Sequence, residues 1–149
     1  KKFNGAINAD KVATIALYHE ASETRYGDIV SPTKYANPEI AYEFKKIETL
    51  AEQECLASLP EDLRDVFSEI IVQDNVEKEY KTIVKAADIL TAYIKALDEL
   101  NHNNPEFEHV KVRLEKKLAK LRIEMPEVEY FLDTFMHYCT TTVDKLSAG

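Results

Sequence analysis

The sequence predicts an all-α protein, and three observations carry that expectation. Three glycines and no tryptophan in 149 residues leave little material for tight hairpins, while long stretches are rich in Ala, Leu, Glu and Lys. Apolar residues recur at spacings of three and four rather than two. Cap residues stand where those periodic stretches begin and end. At 45% hydrophobic content the chain has the size of one domain with one core.

Asn8 is a good N-cap, Asp10 suits a first turn, and Gly27 suits the position after a helix end. A first helix is therefore expected from Ala9 to Tyr26. The stretch Asp28 to Ala36 holds Pro32 and β-branched residues without a helical period, and reads as an ordered loop. Asn37-Pro38 restarts a helix, Asn as cap and Pro as first helical residue, running to about Ser58 with Ile40, Phe44, Ile47, Ala51 and Cys55 on one face. Pro60-Glu61-Asp62 opens a third helix through Leu63, Val66, Phe67, Ile70 and Ile71. A long fourth follows Gln73-Asp74-Asn75, with Tyr80, Ile83, Val84, Ala87, Leu90, Ile94 and Leu97 as its stripe, and fades at His102-Asn103-Asn104. Pro105 starts a fifth through Val110, Leu114, Leu118 and Leu121, ended by Met125-Pro126. A sixth is expected from Glu127 to about Thr141. No repeat, low-complexity tract or interdomain linker is visible.

The net charge of −8 argues against a nucleic-acid backbone as partner, since a basic face is the expected footprint. A small anionic substrate remains open if a metal or a local Lys offsets the charge. Cys55 and Cys139 match no CxxC pattern and are expected to be reduced core residues. No apolar run approaches the roughly 20 residues of a membrane span, and no signal peptide opens the chain, so the expected compartment is the cytoplasm. The charged opening Lys1-Lys2-Phe3, without an initiator Met, reads as the start of a fragment or of a chain whose beginning is not seen.

Along the first helix the apolar stripe Val12, Ile15, Ala16 turns ionisable at His19, Glu20 and Glu23. On helical spacing His19 and Glu23 address one point, with Glu20 beside both. Buried acids and imidazoles need a partner or a cation. Two readings stand: a satisfied core histidine beside solvated acids, or a metal site. Asp88, set among Val84, Ala87 and Thr91 in the long fourth helix, is either a helix-pairing carboxylate for Lys85 or Lys95 or a third donor, completing a mixed N/O set suited to Mn, Co, Mg or Zn. The string His19-Glu20-Ala21-Ser22-Glu23 lacks the second His of an HExxH zinc protease, so that class is set aside.

The run Tyr18-His19-Glu20-Ala21-Ser22-Glu23, then Gly27-Asp28 and Ser31-Pro32-Thr33-Lys34-Tyr35, resembles the YHDASE, GD and TPVKY segments of YfbR-type 5'-deoxyribonucleotidases, HD-domain metal phosphohydrolases. Leu59 to Phe67 and Lys85-Ala86-Ala87-Asp88, continuing into Ala92-Tyr93-Ile94-Lys95, resemble later segments in the same order, so the likeness covers nearly the whole chain. The resemblance implies an HD-type helical domain over residues 1–149 that lacks the family's N-terminal helices. It also implies a homodimer, one divalent metal, and hydrolysis of deoxyribonucleoside 5'-monophosphates. By position His19 and Asp88 match metal ligands, Glu23 the catalytic acid and Asp28 a residue at the sugar. Lys34 is our own assignment as a phosphate contact.

Two departures stand out. The family's further metal-ligating His and its sugar-selecting residues come from helices before the present Lys1, and Glu20 replaces the Asp of the HD doublet, one methylene longer. His102, His109 and His137 are expected to be structural or solvent-exposed rather than substitutes. Other outcomes remain open: an HD hydrolase of nucleoside triphosphates or another phosphoester, and a catalytically degenerate HD module for binding or dimerisation.

Overall fold

The computed structural model describes residues 3, 6–142, 146 and 147. Among the described residues no strand occurs, as expected of an all-α chain. The helices are α1 (Ala9–Tyr18), α2 (Glu23–Tyr26), α3 (Ser31–Lys34), α4 (Pro38–Ala57), α5 (Glu61–Ile71), α6 (Lys78–Asn101), α7 (Glu108–Glu124), α8 (Pro126–Thr134) and α9 (Met136–Cys139). Short 3₁₀ turns at Gln73–Asn75 and Pro105–Phe107 precede α6 and α7.

The expected caps act as such. Asn8 Oδ1 accepts the amides of Asp10 and Lys11 at 3.0 and 3.1 Å, and Asn37 Oδ1 that of Ile40 at 2.8 Å, each meeting a donor the first helical turn leaves unpaired. Asn104 Oδ1 takes the Glu106 amide at 3.3 Å ahead of Pro105. Asn103 adopts φ 61° where α6 stops, the left-handed residue that commonly closes a helix.

Three expected elements are corrected. The first helix ends at Tyr18 and resumes at Glu23, because the chain between tightens into i→i−3 bonds: Ala21 to Tyr18 at 2.9 Å, Glu23 to Glu20 at 2.9 Å, Thr24 to Ala21 at 3.2 Å. The Thr24 hydroxyl also donates to the Ala21 carbonyl at 2.7 Å, a side-chain bond that competes with the helical ladder. The expected loop contains α3, where Pro32 lies in a first turn that suits its fixed φ. The sixth helix is interrupted at Phe135, which caps α8 with φ −115° and ψ −20° while its ring packs on Tyr130 and Phe131 at 5.8 and 5.7 Å.

Cα packing divides the chain into two compact units, Ala6–Val84 and Lys85–Gly149 with Lys1–Gly5, the division falling within α6. In the first, Ile15, Val76, Tyr80 and Val84 form a buried cluster flanked by Ile7, Val12, Ala16 and Ile70. Removing a side chain such as Ile15 from water contributes about 1.5–3 kcal/mol. α1 also packs on α5, with Tyr18 edge-on to Phe67 at 5.5 Å, and α2, α3 and α5 all pack on α4. In the second unit α7 packs on α8 around Ala86, Leu90, Leu118 and Val128.

Side-chain placement corrects further expectations. Ile40 and Ile47 of α4 are exposed, and its buried face holds Ala51 and Glu52. On α6 Ala86 is buried and Ala87 exposed. Both cysteines are free, as expected, but Cys139 is exposed and Cys55 only half-buried, so neither is a core residue.

Candidate functional site

The candidate site is built where α1 runs out. Ile15 and Ala16 hold the last turn of α1 in the first unit's core, so the residues that follow emerge beside it rather than in open solvent. His19 is the capping residue, half-buried, and its Nδ1 lies 2.7 Å from the Ala16 carbonyl oxygen. A carbonyl can only accept, so Nδ1 carries the proton, and in the neutral ring the lone pair is left on Nε2. Nε2 is 3.6 Å from Oε1 of exposed Glu20. An imidazole whose Nδ1–H is held by a backbone carbonyl presents Nε2 in a fixed orientation, so this nitrogen could serve as one donor to a metal ion. The negative end of the α1 dipole adds to the attraction for a cation.

Glu23 opens α2 and is half-buried. Burial raises its pKa above the ordinary 4.5, the negative charges of Glu20 and Asp28 add to the rise, and Lys34 and His19 oppose it. Five of the six residues singled out in the sequence, His19, Glu20, Glu23, Asp28 and Lys34, belong to one unit, and the charges of the other four act on Glu23. Asp28 is exposed directly after Gly27, whose φ of 78° and ψ of 168° are open to glycine and strained for other residues. Asp88, the sixth, lies exposed on α6 in the other unit, one turn beyond Val84.

Lys34 ends α3 and pairs with Glu48 of α4, the two side chains 25% and 17% exposed. Burial alone would lower the ammonium's pKa; the Glu48 hydrogen bond and charge outweigh it, and the result is raised above 10.5. Sequence reasoning missed Glu48. A signal existed, because Phe44, Glu48, Ala51, Glu52 and Cys55 recur at helical spacing and place two acids inside an otherwise apolar face. Ser22, also missed, is buried with its hydroxyl 3.0 Å from the Tyr26 hydroxyl, bracing α2 across one turn.

The remaining histidines stand apart from this cluster. His102, His109 and His137 are all exposed. His102 Nδ1 lies 2.9 Å from the Asp98 carbonyl oxygen, and the His137 ring lies 3.6 Å from that of Tyr138.

Helices throughout, with an imidazole and carboxylates gathered at the end of the first long one, are the features of an HD-type helical domain. Comparison with known proteins narrows this. The family model described as YfbR-like 5'-deoxynucleotidase matches residues 1–139. The chain is 44% identical to a 5'-deoxynucleotidase of Vibrio atlanticus and 45% identical to one of Vibrio vulnificus, each over 147 residues that make up 99% of this chain and 75% of the relative. A 5'-deoxynucleotidase of Enterobacter is 43% identical over 99% of the chain and 73% of its own length. The chain belongs to the YfbR-like 5'-deoxynucleotidase family.

Proposed function

We propose that the protein is a metal-dependent phosphohydrolase that releases phosphate from deoxyribonucleoside 5'-monophosphates. The observation that carries this reading is identity of 43–45% across 99% of the chain to proteins named 5'-deoxynucleotidases.

In this reading His19, Glu20 and Asp88 hold one divalent cation, Mn, Co, Mg or Zn. One imidazole and two carboxylates form a donor set that fits such an ion. The Asn8 amide lies 3.4 Å from the Tyr80 hydroxyl, and Ile15 packs in the cluster that holds Val84, so α1 and the start of α6 advance side by side. When bound, the ion supplies Lewis-acid activation of the phosphoryl group and of water.

The rest belongs to the chain's own residues. Glu23, with its carboxyl raised above the ordinary value, accepts a proton from the attacking water and passes it toward the leaving 5'-oxygen. Asp28 accepts a hydrogen bond from the deoxyribose, and Lys34 meets the phosphate with its ammonium. The reading extends to one helical domain over residues 1–149 and to a cytoplasmic homodimer. No helix among the described residues is long and apolar enough to cross a membrane.

The test is phosphate release by the full-length protein from deoxyribonucleoside and ribonucleoside 5'-monophosphates and from nucleoside triphosphates, with each of the four ions and with a chelator. Metal-dependent release that favours the deoxyribonucleoside monophosphates is expected. Preference for triphosphates would move the protein to another HD hydrolase class, and no release with any ion would leave a degenerate module.

A further inference from the structure

Lys34 and Glu48 are not an ordinary surface pair. Exposed ion pairs contribute little, because two long side chains must be held still in water. Here both are more than two-thirds buried, they come from different helices, and α3 packs directly on α4. Burying a lysine beside a carboxylate costs desolvation that the pair only partly offsets, so the pair is weakly justified as a source of stability. Its position is more telling. α2, which begins at Glu23, packs on the same α4 as α3, the Lys34 charge opposes the rise of the Glu23 pKa, and the ammonium lies 5.7 Å from the centre of the Tyr35 ring. A charge that would otherwise sample many rotamers is fixed at the edge of the candidate site.

We propose that Glu48 is a positioning residue for the nucleotidase reaction, holding the Lys34 ammonium where the substrate phosphate is received. This rests on the function proposed above. Glu48 touches neither substrate nor ion and acts only through Lys34. A lysine ordered before substrate arrives loses no rotamer freedom on binding, and its charge is already aimed where the phosphate's charge lies.

Steady-state kinetics of the full-length, metal-loaded protein on a deoxyribonucleoside 5'-monophosphate test this with Glu48→Ala, Glu48→Asp, Lys34→Ala and the double variant Lys34→Ala/Glu48→Ala. Glu48→Ala is expected to raise KM about three- to tenfold, the scale for ordering one long side chain, with kcat within about threefold. Glu48→Asp keeps the charge but retracts it by one methylene, and is expected to raise KM about threefold on the same scale. Since Glu48 acts through Lys34, the double variant should be no worse than Lys34→Ala alone. Unchanged KM in both Glu48 variants of an active protein, or losses that add in the double variant, overturn this inference and leave the proposed function standing. If Glu48→Ala fails to fold, Glu48→Asp decides. A wild-type protein that releases no phosphate overturns the proposed function and this inference together.

Discussion

Glu23 is the residue on which environment and chemistry bear most directly. Its carboxyl is raised by burial and then by Glu20 and Asp28, and a carboxylate so raised is a better proton acceptor near neutral pH. Glu23→Ala is therefore expected to lower turnover by about 10² or more while the bound metal, measured by elemental analysis, stays near the wild-type content. Loss of the metal would make Glu23 a ligand, and unchanged turnover would remove it from the reaction. His19, Glu20, Glu23 and Asp28 were legible because they lie within ten consecutive residues, where helical spacing and resemblance speak together. The Lys34–Glu48 pair was not, since it joins residues fourteen apart across two helices: the apolar spacing around Glu48 marks it as an inward acid but does not name its partner.

Among the elements, α4 carries the clearest electrostatic consequence. Glu52 is 3% exposed, and its Oε2 accepts the Gln73 amide at 3.0 Å, tying α4 to the 3₁₀ turn before α6. Burial raises its pKa above the ordinary 4.5, and the Gln73 hydrogen bond only partly offsets this. An acid raised in the folded state binds more protons there than in the unfolded chain. Its stabilising contribution is thus complete below the unfolded value and is lost as pH climbs through the higher folded one. Glu52→Gln keeps an acceptor for Gln73 and cannot ionise, so its Tm relative to wild type should rise as pH increases from the ordinary 4.5 toward neutrality. Parallel melting curves across that window would count against the account. The long helices were legible from Asn37-Pro38, Pro60 and Asn104-Pro105. The one-turn helices α2 and α3 were not, because four residues hold about one period and no stripe can repeat.

For the whole molecule, two buried clusters draw on the α6 stripe, which holds at Tyr80, Val84 and Leu90 and errs at Ala87, exposed where its neighbour Ala86 is buried. Tyr80 and Val84 face the first core, and Ala86 and Leu90 the second. Leu118, 4% exposed in the second cluster, is a direct probe of that core. Leu118→Ala is expected to cost about 2–5 kcal/mol in urea unfolding, the range for truncating a buried leucine. A loss well below that would mean neighbours such as Leu132 and Met136 collapse into the space.

The bond from His19 Nδ1 to the Ala16 carbonyl has a bearing on how this chain can change over time. Many metal-binding histidines are oriented by another side chain, which a single substitution can delete. Here the orienting group is the main chain itself, present whatever residue occupies position 16. The imidazole's proton is thus insured against point mutation at its partner, and drift in the surrounding side chains can proceed while that nitrogen keeps its proton.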